Sequence, residues 1–204
     1  MKVFSGVGGL DSGFEKAGFS IVYATDNWET ACISLKKNFP KTVVNCEDIV
    51  YVNFSELKSR YKSVDGLIGG PPCPPFSKSR FYRKEKSRGI HDKDGLTTIT
   101  NFLRGLEELK PKFFFFENVH GFIYKPHRDA LNLLEVETNR LGYNITYDII
   151  NTADFGIPQT RERFICVGTL RELPKFSFPM PTHTGSRIIN GSKLKKWVTT
   201  GDVL

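Results

Sequence analysis

Cys73 stands between two proline pairs, in the run Gly-Gly-Pro-Pro-Cys-Pro-Pro that follows the short apolar stretch Gly66–Ile68. Proline fixes φ and lacks an amide proton, so neither a helix nor a sheet ladder can take this segment. The thiol is therefore held in one place at the carboxyl end of a strand, the edge where open α/β sheets bind their ligands. Lys78, Arg80, Arg83 and Lys84 follow closely, and such cations are expected to favour thiolate over thiol. The chemistry this arrangement could do is nucleophilic attack. Cys32, Cys46 and Cys166 lack that frame and read as packing.

A second cluster opens the chain. In Phe-Ser-Gly-Val-Gly-Gly-Leu-Asp-Ser-Gly-Phe (4–14), Gly6, Gly8, Gly9 and Gly13 fall between a short strand and a helix. Glycines there let the backbone turn sharply and approach a ligand. Asp26 ends the second strand, where its carboxylate can accept from both hydroxyls of a ribose, and Asp48–Ile49 ends the third, beside an adenine ring. Taken singly, Asp26 could cap the helix at 29–39 and the glycines could form a tight turn. The glycine turn and two acids at successive strand ends together favour an adenosyl cofactor.

These groups need a scaffold. Apolar runs alternate with amphipathic stretches, which predicts an α/β fold built on a mostly parallel, doubly wound sheet. Strands are expected at 2–4, 20–25, 42–46, 64–69, 112–117, 144–150 and 163–169, with helices at 10–18, 29–39, 53–61, 97–110 and within 127–141. Ile99, Phe102, Leu103, Leu106 and Leu109 give the clearest helical stripe, and Phe113–Phe116 suits a strand buried on both faces. Segments 71–96 and 170–204 read as long loops, and loops of that length are usually functional.

Composition narrows the class. The 204 residues are 39% hydrophobic and 25% charged, which suits one domain with a core and argues against disorder. No run approaches the roughly 20 apolar residues of a membrane span, and no secretory leader is visible. The four cysteines form no CxxC pair, so neither a zinc site nor a disulfide scaffold is expected, and a reducing cytoplasm fits. The net charge of +7 is concentrated in two places: 77–96 holds seven basic and three acidic groups, and 171–204 holds six and two. Clusters of this kind can be solvated loops or can displace counterions from phosphates.

The same motifs resemble those of the DNA (cytosine-5)-methyltransferase family. FSGVGGLDSGF is similar to its cofactor loop, GGPPCPPFS to its nucleophile segment, and ENV (117–119) and QTRERFICVG (159–168) to its two other catalytic-core motifs. They occur in the family's order over about residues 3–170. The resemblance implies a Rossmann-like S-adenosylmethionine-dependent methyltransferase fold, with DNA as partner and no metal. It implies that Phe4, Gly6, Gly8 and Gly9, then Asp26, Asn27, Asp48, Ile49 and Pro72, hold S-adenosylmethionine. Cys73 would attack carbon 6 of cytosine, Glu117 would hydrogen-bond ring nitrogen 3 and the exocyclic amine, and Arg161 and Arg163 would face the base or the cysteine. Ser77, Asn118 and Val119 would touch the substrate, and the basic loop 77–96 would close over a flipped nucleotide.

The sequence departs from the family at several points. Pro74 stands where glutamine is usual, Asp94 lies where the mobile loop often ends in arginine, and the first strand, only Lys2–Phe4, lacks the longer apolar lead and the acid common just before the cofactor loop. After FPMPTH (178–183) no target-recognition sequence is found. The expected organisation is a catalytic domain at 1–170 and a basic segment, 171–204, leading toward an absent recognition domain. That suits a truncated protein or the large subunit of a split restriction-modification methyltransferase with a second subunit. The alternatives are a tRNA cytosine-5 methyltransferase, whose Cys-Phe-Thr signature is missing here, and an inactive remnant that binds cofactor or nucleic acid.

Overall fold

The computed structural model describes residues 1–76, 89–185 and 194–204. Seven strands form one sheet: β1 (Lys2–Val3), β2 (Tyr23–Asp26), β3 (Val43–Cys46), β4 (Gly66–Gly69), β5 (Phe113–Val119), β6 (Tyr143–Asn151) and β7 (Glu162–Leu170). Their spatial order is β3-β2-β1-β4-β5-β7-β6. The five strands from β3 to β5 run parallel, whereas β7 is antiparallel to both of its neighbours. The order reverses between β1 and β4, so the carboxyl ends there leave a crevice at the switch point. The glycine loop after β1 and the cysteine segment after β4 both open into it.

Helices α1 (Gly9–Lys16), α2 (Glu29–Asn38), α3 (Phe54–Tyr61), α4 (Lys93–Leu109) and α5 (Arg128–Arg140) lie where the apolar periodicity places them. The α4 stripe is wholly inside, with Ile99, Phe102, Leu103, Leu106 and Leu109 all buried. The helix starts four residues before the expected Ile/Thr-rich stretch, because Asp92 caps it by accepting from the Asp94 amide at 3.0 Å. The expected loop 71–96 is thereby shortened, and it also contains 3₁₀ turns at Pro74–Phe76 and Gly89–His91. The basic stretch 77–88 lies outside the described residues.

The phenylalanine strand is covered on both faces but unevenly. Phe114 and Phe116 are sealed against α4 and neighbouring aromatics, while Phe113 and Phe115 meet Phe19 and Phe14 edge-on and stay half-buried. Alternation along one strand thus separates a sealed face from a thinner one. The tail also departs from a plain loop. His183–Thr184 (β8) pairs in parallel with Lys195–Lys196 (β9), and the Trp197 indole donates to Asp154 at 2.9 Å. These contacts fasten the tail to the turn between β6 and β7.

Candidate active site

The cofactor side is built largely from backbone. Leaving β1, Phe4, Gly6 and Gly8 all adopt positive φ (54°, 55° and 95°), which winds the chain into a tight loop before α1. Only Gly8 has no room for a side chain: a Cβ there would lie 2.2 Å from the Phe39 ring. Asp26 ties this loop down. Its Oδ2 accepts from the Gly6 amide at 2.7 Å and its Oδ1 from the Trp28 amide, at the start of α2, at 3.0 Å. Asp26 does not cap α2, whose N-cap is Trp28; it organises the glycine loop and the chain entering the helix, and each oxygen retains a second lone pair for a ligand hydroxyl.

Around this loop lies a cavity of about 440 Å³. Of the residues expected to hold a cofactor, Phe4, Gly6, Asp26, Asn27, Asp48, Ile49 and Pro72 line it. Gly8 and Gly9 do not; they shape the turn into α1. Asn27 donates to Asp48 across the mouth at 3.3 Å, and Asp48 also accepts from the Val50 amide at 3.0 Å. Thr25, Glu47, Gly70, Asp94, Thr97 and Thr98 complete the wall; none of them is expected from the sequence to face a cofactor. Asp94 thus faces this cavity from the first turn of α4. Arg104 of α4 holds the far rim, donating to the carbonyls of Ile49 at 2.8 Å and Val52 at 2.9 Å. Carboxylates for ribose hydroxyls, an apolar Ile49–Phe4–Pro72 surface and a cradle at the glycine loop fit an adenosyl cofactor.

Pro72 connects this cavity to Cys73. Cys73 follows it, half-buried, with its carbonyl accepting from the Phe76 amide at 2.9 Å. Pro74 opens the 3₁₀ turn, a position where a missing amide proton costs nothing. The turn passes under Gly121, where a Cβ would lie 2.2 Å from the Phe76 carbonyl oxygen. Burial raises the Cys73 pKa above the ordinary thiol value, and Glu117 adds to the rise. Arg163, the Val119 backbone and Arg161 oppose it without cancelling it. The thiolate-favouring cations expected from 77–88 lie outside the described residues.

Glu117 and Arg163 come from adjacent antiparallel strands. Glu117 lies opposite Ile165, so Arg163 is its diagonal neighbour on the same face, within reach of a long side chain. Arg163 Nε approaches Glu117 Oε1 to 2.8 Å, with both side chains about one-fifth exposed. The Nε–H does not aim at that oxygen, and Nη1 donates to the Glu162 carbonyl at 2.8 Å. The pair is thus a close Coulomb contact that leaves donor capacity over. Gly70 makes room for it: a Cβ there would lie 3.1 Å from Glu117 Oε2.

Arg161 precedes β7 and lines a second, polar cavity of about 540 Å³ with Val119, His120, Tyr124, Gln159 and Arg163. Asn118 differs from the sequence expectation. It is 0% exposed on the opposite face of β5, so it cannot touch a substrate directly. Its Nδ2 donates to the Pro71 carbonyl at 3.4 Å and its Oδ1 accepts from the Val119 amide, which braces the cysteine segment against β5. Val119 presents its backbone to Cys73. Ser77 lies outside the described residues. Among the described residues no group of His, Cys, Asp and Glu could hold a metal ion, and no helix is long and apolar enough to cross a membrane.

Comparison with known proteins agrees with this geometry. Residues 1–200 match the family model for C-5 cytosine-specific DNA methylases. The chain is 35% identical to the type II methyltransferase M.SacI of Streptomyces achromogenes, over 95% of this chain and 54% of that one. It is 36% identical to the type II methyltransferase M.AquIA of a Picosynechococcus species, over 100% of this chain and 86% of that one. Among solved structures, a prophage-encoded E. coli protein described as a DNA modification methyltransferase superposes with a TM-score of 0.77 at 28% identity. That match covers 98% of this chain and 52% of the other. The chain spans about half the length of several relatives it matches. On the family match over nearly its whole length, the chain belongs to the C-5 cytosine-specific DNA methylases.

Proposed function

We propose that this chain is the catalytic part of a DNA cytosine-5 methyltransferase, acting through a covalent bond between Cys73 and the base. One observation carries the reading: Cys73 sits beside the Glu117–Arg163 pair and directly follows Pro72, which lines the 440 Å³ cavity at the glycine loop. S-adenosylmethionine, when bound, supplies an electrophilic methyl group. Phe4, Gly6, Asp26, Asp48 and Ile49 would hold it, with Asp26 and Asp48 accepting from hydroxyls.

Carbon 5 of cytosine is too weak a nucleophile to take a methyl group unaided. The Cys73 thiolate bonds to carbon 6 and pushes electron density to carbon 5. Glu117 hydrogen-bonds ring nitrogen 3 and the exocyclic amine, stabilising the charge that develops on the ring. Arg163 holds Glu117 in place and favours the thiolate. After carbon 5 gains the methyl group it loses its proton to solvent; the carbon 5–carbon 6 double bond reforms and the Cys73 thiolate leaves. The base must first leave the stack, at about a few kcal/mol. The polar cavity at Arg161, His120 and Tyr124 adjoins the reaction centre and suits an extruded nucleotide.

Reading a DNA sequence takes side chains that reach several base edges. Side chains of that kind would come from protein outside these 204 residues. The test is a single-turnover incubation of micromolar chain with S-adenosylmethionine and mixed-sequence DNA, followed by nucleoside mass spectrometry. The expected product is a low, sequence-indifferent yield of 5-methylcytosine. Methylation of an exocyclic amine, or transfer to tRNA and not to DNA, would overturn the reading.

A further inference from the structure

Beneath the glycine loop lies a pair of charges that the proposed chemistry does not use. Lys2, in β1, and Asp11, in the first turn of α1, approach to 3.9 Å with side chains only 2% and 1% exposed. Neither Asp11 oxygen accepts a hydrogen bond from another described residue. Burial lowers the Lys2 pKa and raises that of Asp11, each pushed toward its neutral form. Buried ion pairs of this kind are poor sources of stability, because desolvation offsets their attraction. Their presence under a ligand loop calls for another reason.

The reason lies in what Lys2 holds. Its ammonium donates to the Phe4 carbonyl at 3.1 Å. Phe4 lines the cofactor cavity and is held at φ 54°, a left-handed conformation that is uncommon for a residue with a side chain. The loop beyond it is tied by the Ser5 amide to the Thr25 carbonyl, the Gly6 amide to Asp26 and the Gly8 amide to the Ser5 carbonyl. All three are amide donors; Lys2 is the side chain that fixes a carbonyl at the start of the loop. Asp11 keeps the ammonium in place from the far end of the same loop.

We propose that Lys2 and Asp11 are positioning residues for the cofactor loop, with Lys2 setting the Phe4 peptide in its cavity-forming orientation and Asp11 setting Lys2. The inference rests on reading the 440 Å³ cavity as the S-adenosylmethionine site. It distinguishes itself from a merely structural role by depending on a donor to the Phe4 carbonyl, not on charge.

Two double variants isolate that donor. Lys2→Met with Asp11→Asn removes both charges and the donor; Lys2→Gln with Asp11→Asn removes both charges and keeps an amide donor. Calorimetry with S-adenosylmethionine is expected to show at least tenfold weaker binding for the methionine variant and binding within threefold of wild type for the glutamine variant. In ligand-free protein, exchange at the Gly6 and Gly8 amides should be accelerated at least tenfold in the first and within threefold in the second. Equal affinity and equal exchange in the two variants would overturn the proposal. Failure of the wild-type chain to bind S-adenosylmethionine would instead overturn the cofactor reading, and the exchange comparison would still decide whether Lys2 holds the loop.

Discussion

The two sides of the crevice are built from different materials. On the β1–β3 side, geometry is fixed by amides: Gly6 and Trp28 donate to Asp26, and Val50 donates to Asp48. On the β4, β5 and β7 side it is fixed by side chains of opposite charge on antiparallel strands, with Arg163 against Glu117 and both acting on Cys73. The first arrangement suits a ligand that must be held in one shape. The second suits a reacting base whose charge changes, because an ion pair with unsaturated donors can realign while a set of backbone bonds cannot. Binding and chemistry should therefore separate cleanly on mutation, and each side can be broken without the other.

The largest separation is expected at Cys73. Cys73→Ala should lower methyl transfer by about 10⁴-fold or more, as for loss of a nucleophile, while calorimetry shows cofactor affinity within about twofold of wild type. A large loss of affinity would mean that the two sides are not independent. Next, Glu117→Gln keeps the shape and should cost roughly 10²–10³-fold in single-turnover rate, the range for a lost electrostatic stabiliser. On the cofactor side, Asp26→Ala removes two amide anchors and the acceptors for a ribose. It should weaken S-adenosylmethionine binding by about 1.5–3 kcal/mol, with the rate at saturating cofactor much less affected.

The smallest effect expected is one of pH. Burial and Glu117 raise the Cys73 pKa, so the thiolate fraction is low at neutral pH and grows as pH rises through and beyond the ordinary thiol value. Adduct formation should therefore climb with pH. Arg163 works in the opposite sense, so Arg163→Gln should displace the profile to higher pH; stopped-flow rates across a pH series give the comparison. An unshifted profile would mean that Arg163 does not bear on the thiol.

What the sequence reveals follows the same divide. The glycine loop is legible because positive φ at Gly6 and Gly8 needs glycine, and the Asp26 and Asp48 positions follow from strand ends. The sequence places Arg161 and Arg163 together on one strand face, but β7 begins at Glu162, so only Arg163 is carried by the strand that pairs with Glu117's. Asp94, Thr97 and Thr98 are not legible in this way. They reach the cavity only because α4 begins early, at the Asp92 cap, and crosses beside β4. Arg104, bracing residues 49–52 from more than fifty positions away, leaves no local signal either. Asn118 misleads for a related reason: its motif suggests a substrate contact, but alternation along β5 turns it inward onto Pro71. Local rules place what one element displays, whereas contacts between distant elements emerge only from packing.

The central claim, that Cys73 bonds to the base it helps to methylate, has a direct test. DNA carrying 5-fluorocytosine, incubated with the chain and S-adenosylmethionine, replaces the departing proton with fluorine and so arrests the reaction before the thiolate can leave. Mass spectrometry of the digested adduct should find the nucleotide on the peptide that contains Cys73, and no adduct with Cys73→Ala. An adduct on another residue, or trapping that persists in Cys73→Ala, would contradict it.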